Sequence, residues 1–375
     1  MFAAPARSRL SVSLLFATMG VILGSWAGRI PDLKNQTKLS DQSWGLVNGF
    51  STLGSLLSLL FIATVVARVG LRRVALLGAC LLVVVVPLSA LSTSGAMLLT
   101  GLFVQGFAFN ALSPTMNAQA VLVEMSYGRS ILSGFHACFS AGQLLGGLLA
   151  TLAIARGTSP AAQLALTDAV LGACVLATAR WQPADKEPQG AAGAGRPRLT
   201  LRGVSPQLAA LAAVAFLGSV CEATAGQWAG IFTATTIGAG PRAGATAYSC
   251  VAFAYLVGRL FGSRVTNRLG GPRLLRWAGV AGAASMMIVL PATNQWTAWC
   301  GFALFGFSCS CMLPTVFSLA GNAPGLTPAQ GASMMVGGQW PAYLITPILV
   351  GTVASLAGLR AALAILVLSA LAVAW

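Results

Sequence analysis

Two series of polar residues recur at helical spacing inside otherwise apolar sequence. Asn110, Ser113, Asn117 and Glu124 follow one another at steps of 3, 4 and 7, and Ser133, His136, Ser140 and Gln143 at steps of 3, 4 and 3. Residues three and four apart share one helix face, so each series forms a single polar stripe. Gln339, Tyr343 and Thr346 stand 203 residues beyond His136, Ser140 and Gln143 and repeat the second stripe. Polar groups are costly in an apolar phase and face a cavity or another helix. A stripe kept in phase twice reads as the lining of a central aqueous cavity; interhelical hydrogen bonding is the simpler alternative. Gln227-Trp228 and Gln339-Trp340 each set an amide beside an indole. Aromatic rings stack on the apolar face of a sugar, and amides bond its hydroxyls. The candidate substrate-binding residues are therefore Asn110, Asn117, His136, Ser140, Gln143, Gln227, Trp228, Gln339, Trp340 and Tyr343.

Glu222 lies near the middle of an apolar run, where an ionised carboxylate is expensive. Such a group can take a proton from one side and release it to the other; a neutral, hydrogen-bonded glutamic acid fixing helix packing is the alternative. His136, the only histidine, is a second candidate for proton coupling because its ring titrates near neutrality. Arg259 also falls within an apolar run and needs a partner that the sequence does not supply. The eight cysteines all fall in apolar runs and read as small packing residues rather than a disulfide or metal framework. Neither a phosphate-binding loop nor a paired-carboxylate, Ser/His/Asp or metal-ligand set is present. The chain is read as no enzyme, with no cofactor.

The elements that must position these groups are membrane helices. Of 375 residues, 57% are hydrophobic and 8% charged, against about 25% charged in a soluble domain. Twelve apolar runs, each of the length that spans a bilayer, cover roughly 10–30, 43–67, 74–94, 96–123, 130–155, 162–181, 208–236, 243–263, 274–292, 297–320, 332–356 and 360–375. The net charge of +15 does not imply nucleic acid, because the basic residues cluster between runs. With the N-terminus inside, fifteen of the 22 Lys and Arg residues fall on the cytoplasmic side and six outside. That bias places both termini in the cytoplasm of a bacterial-type inner membrane. Arg29, Lys34, Asp32 and Asp41 read as a solvated outer loop, with Trp26 and Trp44 near the outer surface. Glu124 and Arg129 read as a cytoplasmic salt bridge. The stretch 182–207, rich in Gly, Pro and Ala with charges of both signs, reads as a flexible linker. It divides a six-helix half, 1–181, from a second, 208–375.

The halves echo each other. Trp26-Ala27-Gly28 recurs as Trp228-Ala229-Gly230, Arg68-Val69-Gly70 as Arg268-Leu269-Gly270, Pro114-Thr115 as Pro314-Thr315, and Gly128 and Gly134 as Gly331 and Gly337, at offsets of 200 to 203. Six runs separate the copies, so both share one orientation: a parallel repeat about an axis along the membrane normal. The loop Ala67-Arg68-Val69-Gly70-Leu71-Arg72-Arg73 resembles the major facilitator signature Gly-x-x-x-Asp-Arg-x-Gly-Arg-Arg. It has Ala63 for the Gly and Ala67 for the Asp, and the second copy has Asn267 for the Asp. The resemblance implies an all-α fold of twelve transmembrane helices in two pseudo-symmetric halves. It also implies gating contacts at Arg68, Arg72 and Arg268, to which the Glu124 and Arg129 pair is added. The segments Trp26–Asp32, Met116–Gln119 with Glu124, Gly134–Ala137 and Gly321-Asn322 resemble a narrower group, the YbjJ-like inner-membrane branch related to fucose-permease-type sugar transporters.

The expectation is a monomeric secondary transporter whose partners are a small solute, a proton and lipid. It would move a sugar or polar metabolite by rocking of the halves, with a proton as coupling ion. An exporter of amphiphilic compounds and a non-transporting membrane sensor or assembly factor are the rival readings.

Overall fold

The computed structural model describes residues 4–127, 131–183, 205–323 and 328–375, and all of its regular secondary structure is helical. The first six spans are α1 (Ala4–Thr37), α2 (Asp41–Val69), α3 (Leu71–Ser89), α4 (Gly95–Tyr127), α5 (Leu132–Ala155) and α6 (Pro160–Thr178). The second six are α7 (Pro206–Ile231), α8 (Gly240–Leu269), α9 (Gly271–Val289), the pair α10 (Gln295–Cys309) and α11 (Met312–Gly321), α12 (Pro328–Ala357) and α13 (Leu359–Ala374). α10 and α11 form one span interrupted at Ser310 and Cys311. Pro314 has no N–H to give the Ser310 carbonyl, four residues back, although the matched Pro114 sits inside an unbroken α4. Among the described residues, ten stretches are long and apolar enough to cross a membrane by length and composition. α9 falls outside that set, and α12 and α13 are taken there as one stretch although Gly358, at φ 83°, turns the chain between them. The twelve expected runs thus each correspond to one span.

Local chemistry sets the ends. Ser40, Ser159, Ser205 and Asn294 each accept a hydrogen bond from the backbone N–H three residues on, satisfying a donor that the first turn leaves free. Pro160 and Pro206 follow directly, at positions where a missing N–H costs nothing. Gly70 and Gly270 stop α2 and α8 at φ 97° and 79°, a region open to glycine and strained for other residues. Their N–H groups bond the Val66 and Thr266 carbonyls at 2.9 and 2.8 Å. The two copies therefore stop the same helix in the same way.

α1 packs most extensively on α5. A Cβ built on Gly24 would lie 2.1 Å from the Gln143 carbonyl oxygen, and one on Gly146 would lie 2.3 Å from that of Val21. Glycine faces let two backbones meet where lipid supplies no hydrophobic drive. Among the described residues, the first and second sets of six spans meet in the same manner toward one end. Gly45 of α2 lies against Pro347 and Gly351 of α12, Gly147 of α5 against Tyr248 and Ser249 of α8, and Pro31 of α1 against Gly230 and Gly244.

The other end carries Arg7, Arg9, Arg68, Arg72, Arg73, Arg180, Arg264, Arg268, Arg273 and Arg276, as the alternation of the spans requires. There Arg7 and Arg180 lie over the Trp181 ring, and Arg9 over Tyr127. Gly134 and Gly337, matched positions in the two copies, meet nothing within 4 Å, and His136 is exposed. Among the described residues, the bundle is sealed at one end and open at the arginine-rich end.

Two expectations are corrected at the sealed end. Arg29 is not in a solvated loop: α1 runs on to Thr37 and Arg29 is 1% exposed. Its guanidinium bonds Asp32 Oδ2 at 2.6 Å, the Thr158 carbonyl at 2.8 Å and Gln163 Oε1 at 3.1 Å, tying α1 to α6 and the turn before it. Lys34 pairs with Asp41 at 2.9 Å across the next turn. Trp44 is fully buried, and Trp26, 7% exposed, faces inward. Neither marks a membrane surface, because the sealed end is covered by packed helices.

Candidate functional site

A cavity of about 380 Å³ lies between the two sets of spans. One wall comes from α2: Asn48, Ser51, Thr52 and Ser55, at steps of 3, 1 and 3 along one face. The opposite wall comes from α8: Tyr248, Val251, Ala252 and Tyr255. These are the same positions 200 residues on, so the repeat gives one wall hydroxyls and an amide and the other wall phenol rings. α1 adds Trp26, α4 adds Gln105 and Phe109, α5 adds Gln143, α7 adds Glu222 and Gln227, and α12 adds Tyr343. Thr52 Oγ1 donates to the Tyr343 carbonyl at 3.2 Å, joining α2 to α12.

Three buried polar atoms on this lining have no protein partner: Gln105 Nε2, Gln227 Oε1 and the Tyr255 hydroxyl. Buried polar groups are almost always hydrogen-bonded, and an orphan costs roughly 1–3 kcal/mol. Their residues line the cavity from α4, α7 and α8, but these three atoms are themselves packed against protein and closed to water.

Glu222 is not the lone carboxylic acid expected from sequence. Arg259 of α8 reaches it, with Nη2 donating to Glu222 Oε1 at 2.9 Å. Nη1 donates to Ser140 Oγ of α5 at 3.4 Å, and the guanidinium lies over the Tyr255 ring at 5.3 Å. The pair leaves the cavity without net charge. It also ties the second set of spans to the first through Ser140.

The other expected residues separate into groups. Gln143, Gln227 and Tyr343 line the cavity, Ser140 reaches its ion pair, and Trp340 stacks edge-on to Tyr343 at 6.3 Å. Trp228 does not reach the space: it is fully buried, its indole N–H unpartnered, on a face of α7 turned into the core. Asn110, Asn117 and Gln339 are half-buried and outside the lining, and Asn117 Nδ2 donates back to the Ser113 carbonyl at 2.8 Å. His136 packs edge-on against Phe16 at 5.3 Å near the open end.

Glu124 accepts from the Ile131 and Leu132 N–H groups at 2.6 and 2.7 Å, capping the start of α5. Its expected partner Arg129 lies outside the described residues. Arg68 and Arg268 are exposed at the ends of α2 and α8, and Arg72 is half-buried at the start of α3. The α2 face was missed because its four polar residues are small and sit in a long apolar helix. Their spacing, 48, 51, 52 and 55, is the signal that marks it.

A bundle of twelve spans with a repeat-related cavity between its halves is the architecture of a polytopic membrane transporter. The Major Facilitator Superfamily profile matches residues 10–341, and the chain belongs to that family. It is 29% identical over 372 residues to an uncharacterized MFS-type transporter of Yersinia pestis, covering 98% of this chain and 94% of that protein. It is 24% identical to the membrane protein MosC of Rhizobium meliloti, covering 94% and 85%. Among solved structures, a mutant of the nucleoside transporter NupG superposes with a TM-score of 0.77 at 14% identity, covering 97% and 96%. A bacterial homologue of the human lysosomal transporter Spinster, inward-facing and occupied, gives 0.72 at 14%, covering 92% and 81%. At such identities these two likenesses concern the fold alone.

Proposed function

We propose that the chain is a secondary transporter for a small, uncharged, polyhydroxylated solute, a sugar or nucleoside-like compound, bound between α2 and α8. The uncharged polar lining of Asn48, Ser51, Thr52, Gln105, Gln143 and Gln227 carries this reading. These amides and hydroxyls offer donors and acceptors, and the Tyr248, Tyr255, Trp26 and Phe109 rings offer apolar faces. A charged solute would find no uncompensated partner, because Glu222 and Arg259 neutralise each other. The volume suits a compact ligand. The resemblance to the fucose-permease-related branch and the nucleoside transport of one fold neighbour agree with this solute class.

Basic residues concentrate on the cytoplasmic side of membrane proteins, so the open, arginine-rich end is the cytoplasmic one and both termini lie there. Residues 1–181 and 208–375 then rock about the bound solute, exchanging the sealed contacts at Gly45, Gly147 and Pro31 for contacts at the other end. Protonation of Glu222 would release Arg259 from it, which is how a proton would couple to the motion.

The test is a thermal-shift panel of sugars, nucleosides, organic acids and amphiphilic cations, followed by counterflow of the best binder in proteoliposomes. A ligand of the folded state raises its stability by mass action. Stabilisation by a polyol or nucleoside with counterflow is expected. Binding without flux would favour the sensor reading, and stabilisation by amphiphilic cations alone would overturn the solute class. Glu222→Gln should keep counterflow and lose accumulation driven by a pH gradient; unchanged accumulation would exclude Glu222 from coupling.

A further inference from the structure

A second cavity of about 340 Å³ lies on the open side of the second half, between α8 and the broken span α10–α11. Its polar lining is Arg259, Thr266, Asn267, Cys311, Thr315 and Ser318. Among the described residues, no carboxylate lines it. Arg259 lies beside both spaces: its Nη2 holds Glu222, which lines the central cavity, and Arg259 itself lines the second. Its Nε is buried with no partner among the described residues.

The repeat shows that the fold does not demand this polarity. Two hundred residues earlier, at the offset fixed by Gly70 and Gly270 and by Pro114 and Pro314, the matching positions are Leu59, Val66, Ala67, Ala111, Thr115 and Ala118. Five of the six polar groups are apolar or small in the first copy, where α2 ends as α8 does and α4 runs unbroken past the position of the α10–α11 break. Arg259, Cys311, Thr315 and Ser318 fall within the apolar runs 243–263 and 297–320, where polar groups are expensive unless they serve a ligand or a partner.

We propose that this second cavity binds an oxyanion, a carboxylate or a phosphate, with Arg259 as its cation and the Asn267 amide and the Thr315 and Ser318 hydroxyls as donors. A planar guanidinium pairs with either anion through two parallel N–H groups. The ligand is a free anion or the headgroup of an anionic lipid on the cytoplasmic leaflet. Because the anion and Glu222 share one guanidinium, each weakens the hold of the other. The inference stands whether or not the central cavity binds a polyol, since its lining apart from Arg259 is separate.

The experiment uses the full chain in phosphatidylcholine nanodiscs, titrated with inorganic phosphate and with acetate and followed by thermal stability. Saturable stabilisation is expected. Asn267→Ala with Ser318→Ala, neither in the central cavity, should weaken it by about tenfold, the size of losing hydrogen bonds to a charged group. Glu222→Gln frees Arg259 and should tighten phosphate by about fivefold. The same titration in phosphatidylglycerol nanodiscs separates the sources: phosphate still stabilises if the anion is free, and a headgroup already in place abolishes the response while raising the starting stability of wild type over the double variant. Two outcomes overturn the proposal: an equal response in wild type and double variant, or no response in either lipid together with equal starting stabilities. Unchanged phosphate affinity in Glu222→Gln would overturn the competition for Arg259.

Discussion

Where the first copy of the repeat has Gly20 and Leu59, the second has Glu222 and Arg259. Gly20 lets α1 lie against the backbone of α5 at Phe139; Glu222 occupies the matching place on α7 and turns a packing position into half of an ion pair. The cavity walls divide likewise, with Asn48, Ser51, Thr52 and Ser55 on α2 facing Tyr248, Val251, Ala252 and Tyr255 on α8. A third contrast lies at the sealed end. The last carbonyls after α3, Ala90 and Ser92, accept from Gln36 Nε2 at 2.9 Å each. The matching carbonyls of Leu290 and Ala292 accept from the Arg360 guanidinium. In the first and third contrasts the second copy holds the charge, and in the cavity walls the first copy holds the small polar groups and the second the phenol rings. Duplication supplies the frame, and divergence between the copies supplies the chemistry.

The largest effects should follow from making the second copy resemble the first. Arg259→Leu leaves Glu222 without its cation. Removing one partner of a buried ion pair costs roughly 3–5 kcal/mol, and less here because the open cavity screens side chains that are 29% and 33% exposed. Transport should be lost and the melting temperature should fall by several degrees. Adding Glu222→Gln should restore the melting temperature and leave transport lost. A double variant no more stable than Arg259→Leu would show that the lone carboxylate is not the cause.

The contrast between the sealed and open ends comes next. A Cβ at Gly45 would lie 2.2 Å from the Pro347 carbonyl oxygen, while Gly134 and Gly337 have open space. Gly45→Val should cut flux more than about tenfold while binding survives, by holding the sealed end apart. A membrane-impermeant label should then reach that end. In the structure's own state Gly337→Ala should leave stability near wild type, and equal losses for both would contradict a bundle closed at one end.

Within the cavity the expected effects are smaller. Gln105→Leu and Gln227→Leu should each weaken solute binding by about 5- to 15-fold, near 1–1.5 kcal/mol for one lost hydrogen bond. A titration with affinities unchanged in both would remove the hydrogen-bonding role of the lining. Trp228→Phe marks the lower end: it should lower stability by about 1–3 kcal/mol through lost packing and leave affinity within about twofold of wild type.

The helices were legible because apolar length, capping serines and stop glycines are local signals. The repeat was legible because Gly70 and Gly270 answer the same backbone need. Site residues were legible only where a stripe and the cavity coincide, as at Gln143, Gln227 and Tyr343. Trp228 shows the limit: a residue beside Gln227 in sequence points about 100° away on a helix, here into the core. Arg259 shows another limit, because its partner Glu222 is 37 residues away on a different helix. No spacing rule links two residues joined only by tertiary packing.

The account turns on one solute held between the polar wall of α2 and the aromatic wall of α8. The direct measurement is a structure of the chain with the panel's best binder. The solute should lie within hydrogen-bond distance of both the Gln105 and the Gln227 side-chain amides, with a Tyr248 or Tyr255 ring against its apolar face. A solute seated elsewhere, or in the central cavity without contact to either amide, would contradict it.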